Sequence, residues 1–71
     1  MTDKIKLGVE IIVNENSDYY ADYKNEMWYV IGLALEPHGR INVTIAQRGN
    51  FRWENETDGF RPEELTIVED F

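Results

Sequence analysis

MWYVIGLALEPHGRINVTI, residues 27–45, is the stretch on which the fold turns. Its opening run, Met27 to Glu36, is nearly all apolar, and hydrophobicity alone suits either a buried helix or a buried strand. β-branched and aromatic side chains, with Gly32 among them, favour a long strand bent at the glycine. Pro37-His38-Gly39-Arg40 then reads as a proline-led turn, after which Ile41, Val43 and Ile45 alternate with Asn42, Thr44 and Ala46. Strand, turn and strand make a hairpin.

Upstream, Leu7, Val9, Ile11 and Val13 alternate with Gly8, Glu10, Ile12 and Asn14, which predicts a half-buried first strand with the odd-numbered residues inward. Residues 14–26, NENSDYYADYKNE, have no apolar period and predict a long loop or an irregular hairpin. Downstream, a turn around Gly49 leads to a fourth strand in which Phe51 and Trp53 alternate with Arg52 and Glu54. Residues 55–61 are polar, and Asp58-Gly59 reads as a turn pair. Arg61-Pro62-Glu63-Glu64 puts proline at a first helical position with two acids behind it, suited to one turn of 3₁₀ helix, and Leu65 and Ile67 form a short last strand. Five short strands at this length are expected to close as a small all-β barrel.

Composition sets the frame for that fold. The 71 residues predict one domain, 1–71, with the barrel over about 7–69. A content of 42% hydrophobic and 13% aromatic residues is too high for an intrinsically disordered chain. Cysteine is absent, which excludes disulfide scaffolds, thiolate metal sites and a cysteine nucleophile. No stretch reads as a signal peptide or a long apolar span, so the chain is expected in the cytoplasm, off the membrane, and the glycosylation-type triplets at Asn42 and Asn55 are expected to stay unmodified. A domain this small buries a modest share of its surface, which leaves room for a homo-oligomer or a stabilising partner.

Gly59-Phe60-Arg61-Pro62-Glu63-Glu64-Leu65 followed by Val68 is similar to the closing segment of SH3-like barrels, where glycine, proline, a 3₁₀ turn and a final strand come in that order. Asp18-Tyr19-Tyr20 and Asp22-Tyr23 resemble an acidic, tyrosine-bearing RT loop. The resemblance implies a five-stranded SH3-like barrel with a long RT-like loop and one 3₁₀ turn before the last strand. Leu65 stands where peptide-binding SH3 domains carry a tyrosine, and Trp28 matches their tryptophan only loosely, so the resemblance does not imply proline-rich peptide binding. KOW-type and Tudor-type barrels share the layout, which speaks for a fold before a ligand.

Catalytic chemistry finds little support. The sole histidine, His38, lies in the proline-glycine turn, and Ser17, the only serine, sits among acidic neighbours with no base assigned to it. Glu63-Glu64 and Glu54/Glu56 pair carboxylates on surface segments without an enclosed cleft. Asn14, Asn16, Asp18 and Asp22 fall at positions 1, 3, 5 and 9 of an EF-hand-like loop, but Tyr19 replaces its glycine and Asn25 its bidentate glutamate. No glycine-rich phosphate loop is present. The chain is expected to be no enzyme and to hold no cofactor or metal.

Binding residues are better represented. The formal net charge is −7, and from Glu54 onward Glu54, Glu56, Asp58, Glu63, Glu64, Glu69 and Asp70 face Arg61 alone. Such a field repels nucleic acid and anionic lipid and attracts basic protein surfaces. Tyr19, Tyr20 and Tyr23 lie in a loop where no core period requires them, and tyrosine supplies rigid contact area with a hydrogen-bonding tip. Trp53 is open to two roles, core residue or binding platform. Arg40, Arg48 and Arg52 are expected on hairpin tips as a small basic patch, a weak nucleic-acid signal against the total charge. The expected function is a small acidic protein-interaction module, of a kind that resembles phage or bacterial accessory proteins, docking on a basic surface of a host protein through Tyr19, Tyr20, Tyr23, Trp53, Glu54, Glu56, Asp58, Glu63 and Glu64. The alternatives are a DNA-mimic inhibitor of a nucleic-acid enzyme and a KOW-like nucleic-acid-binding barrel.

Overall fold

The computed structural model describes residues 5–68, so Glu69, Asp70 and the distal end of the expected barrel lie outside the described residues. Within them run five strands, β1 (Glu10–Val13), β2 (Trp28–Leu35), β3 (Ile41–Arg48), β4 (Trp53–Phe60) and β5 (Leu65–Ile67), with a single helical turn α1 (Tyr20–Tyr23) and a 3₁₀ turn at Pro62–Glu64. All pairings are antiparallel, in the order β4-β3-β2-β1-β5. The fold is therefore all-β, one five-stranded sheet. The expected closure is not seen: β4 and β5 are the two ends of the sheet and do not pair.

The hairpin of residues 28–48 forms as its sequence predicts. Glu36 N–H donates to the Arg40 carbonyl and Gly39 N–H to that of Glu36, closing the turn. Between Val30 and Gly32 the register slips by one residue, so the bend expected at Gly32 is a β-bulge just before it. Up to that point alternation holds, with Trp28 and Val30 buried and Tyr29 and Ile31 half-buried.

One core serves both halves of the sheet. Ile11 and Val13 of β1 and Leu65 of β5 join Trp28, Val30, Val43, Ile45 and Phe60 in a single buried cluster, so the sheet curls around its own inner face. Fully burying each such side chain stabilises the fold by about 1.5–3 kcal/mol relative to exposure. The Trp28 indole N–H lies in that core without a hydrogen-bond partner among the described residues, an opposing cost of about 1–3 kcal/mol.

Three local expectations are corrected. Leu7 is exposed, because Gly8 at φ +89° turns the chain and β1 starts only at Glu10. Phe51 is fully exposed in the β3–β4 turn, so the fourth strand begins at Trp53. That strand runs on through residues 55–60, which the sequence reading leaves as a polar turn. Two register shifts, between Val43 and Ile45 and between Ile45 and Gln47, each add a residue on the β4 side. Asn55 at φ +57° falls in one of them and Gly59 at φ +96° in the other. Asp58-Gly59 therefore makes a bulge, pinned by Gly59 N–H donating to Asn42 Oδ1 at 2.8 Å. The bulge returns Phe60 to the core opposite Val43, with 1% of its surface exposed.

Candidate functional site

The loop that carries the tyrosines is anchored at its start. Asn14 Nδ2 donates to the Glu63 carbonyl and to Thr66 Oγ1, each at 3.1 Å, Asn16 Nδ2 donates to the same Glu63 carbonyl at 3.1 Å, and Asn14 N–H donates to the Glu64 carbonyl. The asparagine amides that sequence spacing places in a cation-like loop thus hold the 3₁₀ turn. Ser17 is buried and its hydroxyl accepts the Tyr19 N–H at 3.1 Å, a local serine turn before α1. Together these bonds bring the loop acids Glu15 and Asp18 to the end of the molecule where Glu63 and Glu64 lie.

The tyrosines then part. Tyr23 packs on Trp28 (ring centroids 5.1 Å apart) and edge-on to Phe60 (5.7 Å), so it lies half-buried over the core. Tyr19 also meets Phe60 edge-on, at 6.1 Å, yet keeps 56% of its surface exposed. Tyr20 points away from both, with Lys24 Nζ above its ring at 5.9 Å, and lines a cleft with Ile12, Asn16 and Thr66.

Trp53 is not a core residue, since 41% of its surface is exposed. Adjacent strand residues face opposite sides of a sheet. Trp28 faces the core and Tyr29 the outside, where Tyr29 meets Trp53 at 5.6 Å. Arg48, the cross-strand partner of Trp53, lies over its ring with the guanidinium carbon 5.5 Å from the centroid. Trp53 and Tyr23 therefore occupy opposite faces of the sheet. With Gly49, Asn50, Phe51 and Arg52, Arg48 and Trp53 also border a shallow cleft at the β3–β4 tip. Arg40 sits at the other end of the hairpin, in the β2–β3 turn, so the three arginines do not form one patch.

The acids divide in the same way. Glu54, Glu56 and Asp58 are all exposed along β4, the free edge of the sheet. Glu63 and Glu64 lie beyond it in the 3₁₀ turn, where Arg61 reaches both, at 4.0 and 3.5 Å. Charged side chains and two bulges on an edge strand also impede edge-to-edge pairing, which gives these acids a structural use whatever they bind. His38 is exposed in its turn with Nε2 3.1 Å from Glu36 Oε1, and Glu36 Oε2 accepts from Asn42 Nδ2 at 3.3 Å. That chain of contacts ties the β2–β3 turn to the Gly59 bulge. Sequence reasoning missed the pairing of Tyr29 and Arg48 with Trp53, which depends on the β3–β4 register.

Among the described residues no group of three metal-ligating side chains converges, and no helix is long and apolar enough to cross a membrane. No protein-family model, curated protein or solved structure matches the chain.

Proposed function

We propose that this chain is a non-enzymatic protein-interaction module, built on an SH3-like small barrel left open between β4 and β5, that docks on a basic surface of a protein partner. The observation that carries the reading is the free β4 edge, where Glu54, Glu56 and Asp58 are all exposed and continue into Glu63 at the 3₁₀ turn. Only Arg61 opposes that run by ion pairing among the described residues. A predominantly acidic surface of this kind accelerates encounter with a complementary partner by tenfold or more at low salt, and desolvated aromatic contacts then set the lifetime. Tyr19, half-exposed at the Glu63 end, supplies such a contact there. Trp53 supplies one at the far end of the same strand.

The test is capture from a bacterial lysate on the immobilised chain, at low and high salt, beside a variant with Glu54, Glu56, Asp58, Glu63 and Glu64 changed to Gln. A basic protein held at low salt, released at high salt and missing from the variant is the expected result. Identical captures by both chains would remove the acidic edge from the account. If the captured protein is a nucleic-acid enzyme, competition by duplex DNA identifies the DNA-mimic form of the same function.

A further inference from the structure

The β3–β4 tip has a chemistry opposite to the rest of the molecule. Phe51 is fully exposed there, Trp53 is half-exposed, and neither Arg48 nor Arg52 makes an ion pair among the described residues. Even Glu54, whose carboxylate lies against Gly49 in the same turn, does not neutralise them. In a chain with 14 acids and 7 lysines and arginines, two arginines without an ion pair among the described residues beside two exposed aromatics form a distinct surface. Arg48 is pre-positioned by its stack on Trp53, which leaves its donors free for a carboxylate.

The matching chemistry lies at the other end of the chain. Glu15 and Asp18 are exposed and without ion pairs among the described residues, and Tyr19, next to Asp18 in the chain, is more than half exposed. β4 runs between the two surfaces, from Trp53 at the tip to Phe60, against which Tyr19 packs. Being at opposite ends, they cannot meet within one copy.

We propose that the β3–β4 tip of one copy docks on the Glu15–Asp18–Tyr19 surface of a second, with Arg48 and Arg52 on the carboxylates and Phe51 against Tyr19. Such a contact is head-to-tail, so it propagates into short chains or closes as a ring rather than stopping at a two-fold dimer. It extends the interaction reading by naming one partner, but it uses the loop acids in place of the β4 acids, so the two can fail separately. Single-stranded nucleic acid would exploit the same arginines and aromatics. A polyanion, however, also meets Glu54 and Glu56 beside the tip and the full −7 charge, whereas a short acidic loop presents two carboxylates.

Electrostatics gives the contact a signature. Two copies at −7 repel across molecular dimensions, a force reaching about 30 Å at 0.01 M salt but only about 8 Å at 0.15 M. Contact pairs at about 4 Å survive until the screening length falls to about 3 Å near 1 M. Self-association is therefore strongest at intermediate salt, whereas purely apolar association strengthens steadily as salt rises.

Sedimentation equilibrium of the purified chain tests this, with circular dichroism confirming that each variant is folded. The wild type is expected to show a mass that rises with concentration, most steeply near 0.15 M salt. The double variants R48Q/R52Q and E15Q/D18Q are each expected to stay monomeric, and their equimolar mixture to form a complex that stops at 1:1, because only one intact contact remains. Phe51→Ser is expected to weaken wild-type association at least tenfold. A wild type monomeric at every salt concentration overturns the proposal whatever the lysate capture shows, as does undiminished association of either double variant. A monomeric wild type that shifts a single-stranded oligonucleotide through Arg48 and Arg52 would overturn it too, and would give the tip to nucleic acid.

Discussion

Phe60→Ala and Phe51→Ala are the same chemical change placed at opposite ends of β4, and the structure assigns them opposite consequences. Phe60 is 1% exposed, packed against Tyr19, Tyr23 and the Val43 rung, while Phe51 is 100% exposed in the turn. Truncating a buried phenylalanine costs about 3–5 kcal/mol through lost transfer energy and the cavity left behind. A chain of 71 residues has a total stability of about 4–10 kcal/mol, so that loss removes nearly a third of it at least and can exceed the whole. At the surface the same truncation stays within about 0.5 kcal/mol. Urea unfolding followed by tryptophan fluorescence reads the difference: with a slope near 1 kcal/mol/M, Phe60→Ala lowers the midpoint by about 3–5 M or leaves the chain unfolded in buffer, and Phe51→Ala hardly moves it. Phe60→Leu, which keeps most of the volume, is expected to cost about 1 kcal/mol and keeps the comparison measurable if the alanine variant does not fold. Equal midpoints for the two alanine variants, or a larger loss at Phe51, would refute the placement of β4 and its bulges.

Gly59→Ala meets no atom within 4 Å of the new methyl, so its expected cost of about 1–2 kcal/mol comes from the +96° φ alone, and a cost near zero in the same urea assay would mean that the bulge relaxes. Asn42→Ala removes the acceptor for Gly59 N–H and the donor to Glu36, and is expected to cost about 1 kcal/mol and to speed hydrogen exchange at the Gly59 amide; Asn42→Asp, which keeps the acceptor, should leave that exchange slow. Arg48→Ala removes the cation above Trp53 for about 0.5–1 kcal/mol, and a change in Trp53 emission in a Trp28→Phe background is the expected reporter. Changing Asn14 and Asn16 together to Ala releases the loop from the Glu63 carbonyl, with faster exchange of the backbone amides at positions 14 and 19 as the measurement.

The elements that could be read from residues are those with a simple period or a chemical stop signal. Apolar alternation through Ile41, Val43 and Ile45 and the Pro37–Gly39 turn made the central hairpin legible, and Pro62 with its two acids marked the 3₁₀ turn. β4 was legible only at its start around Trp53, because an edge strand exposes most of its side chains and two bulges break the alternation by which strands are recognised. Asp58-Gly59 has the composition of a turn, and only the pairing with β3 makes it a bulge that delivers Phe60 to the core. Leu7 extended the apparent period of β1 past the point where Gly8 turns the chain. The single turn α1 is too short to carry a helical period, and loop composition hid it. The candidate site was legible as residue types but not as groupings. Tyr19 and Glu63 share one end, Tyr23 belongs to the core, and Trp53 lies on the opposite face with Tyr29 and Arg48, separations that follow from strand direction and face.

Docking driven by the acidic edge has a direct signature in how the association rate of the captured partner depends on ionic strength. For the wild-type chain the rate is expected to fall steeply with added salt while dissociation changes little, and the five-Gln variant is expected to associate more slowly with a flattened salt dependence. A wild-type association rate indifferent to salt, or one that the variant matches, would contradict the claim and leave the carboxylates of β4 as guards of a sheet edge.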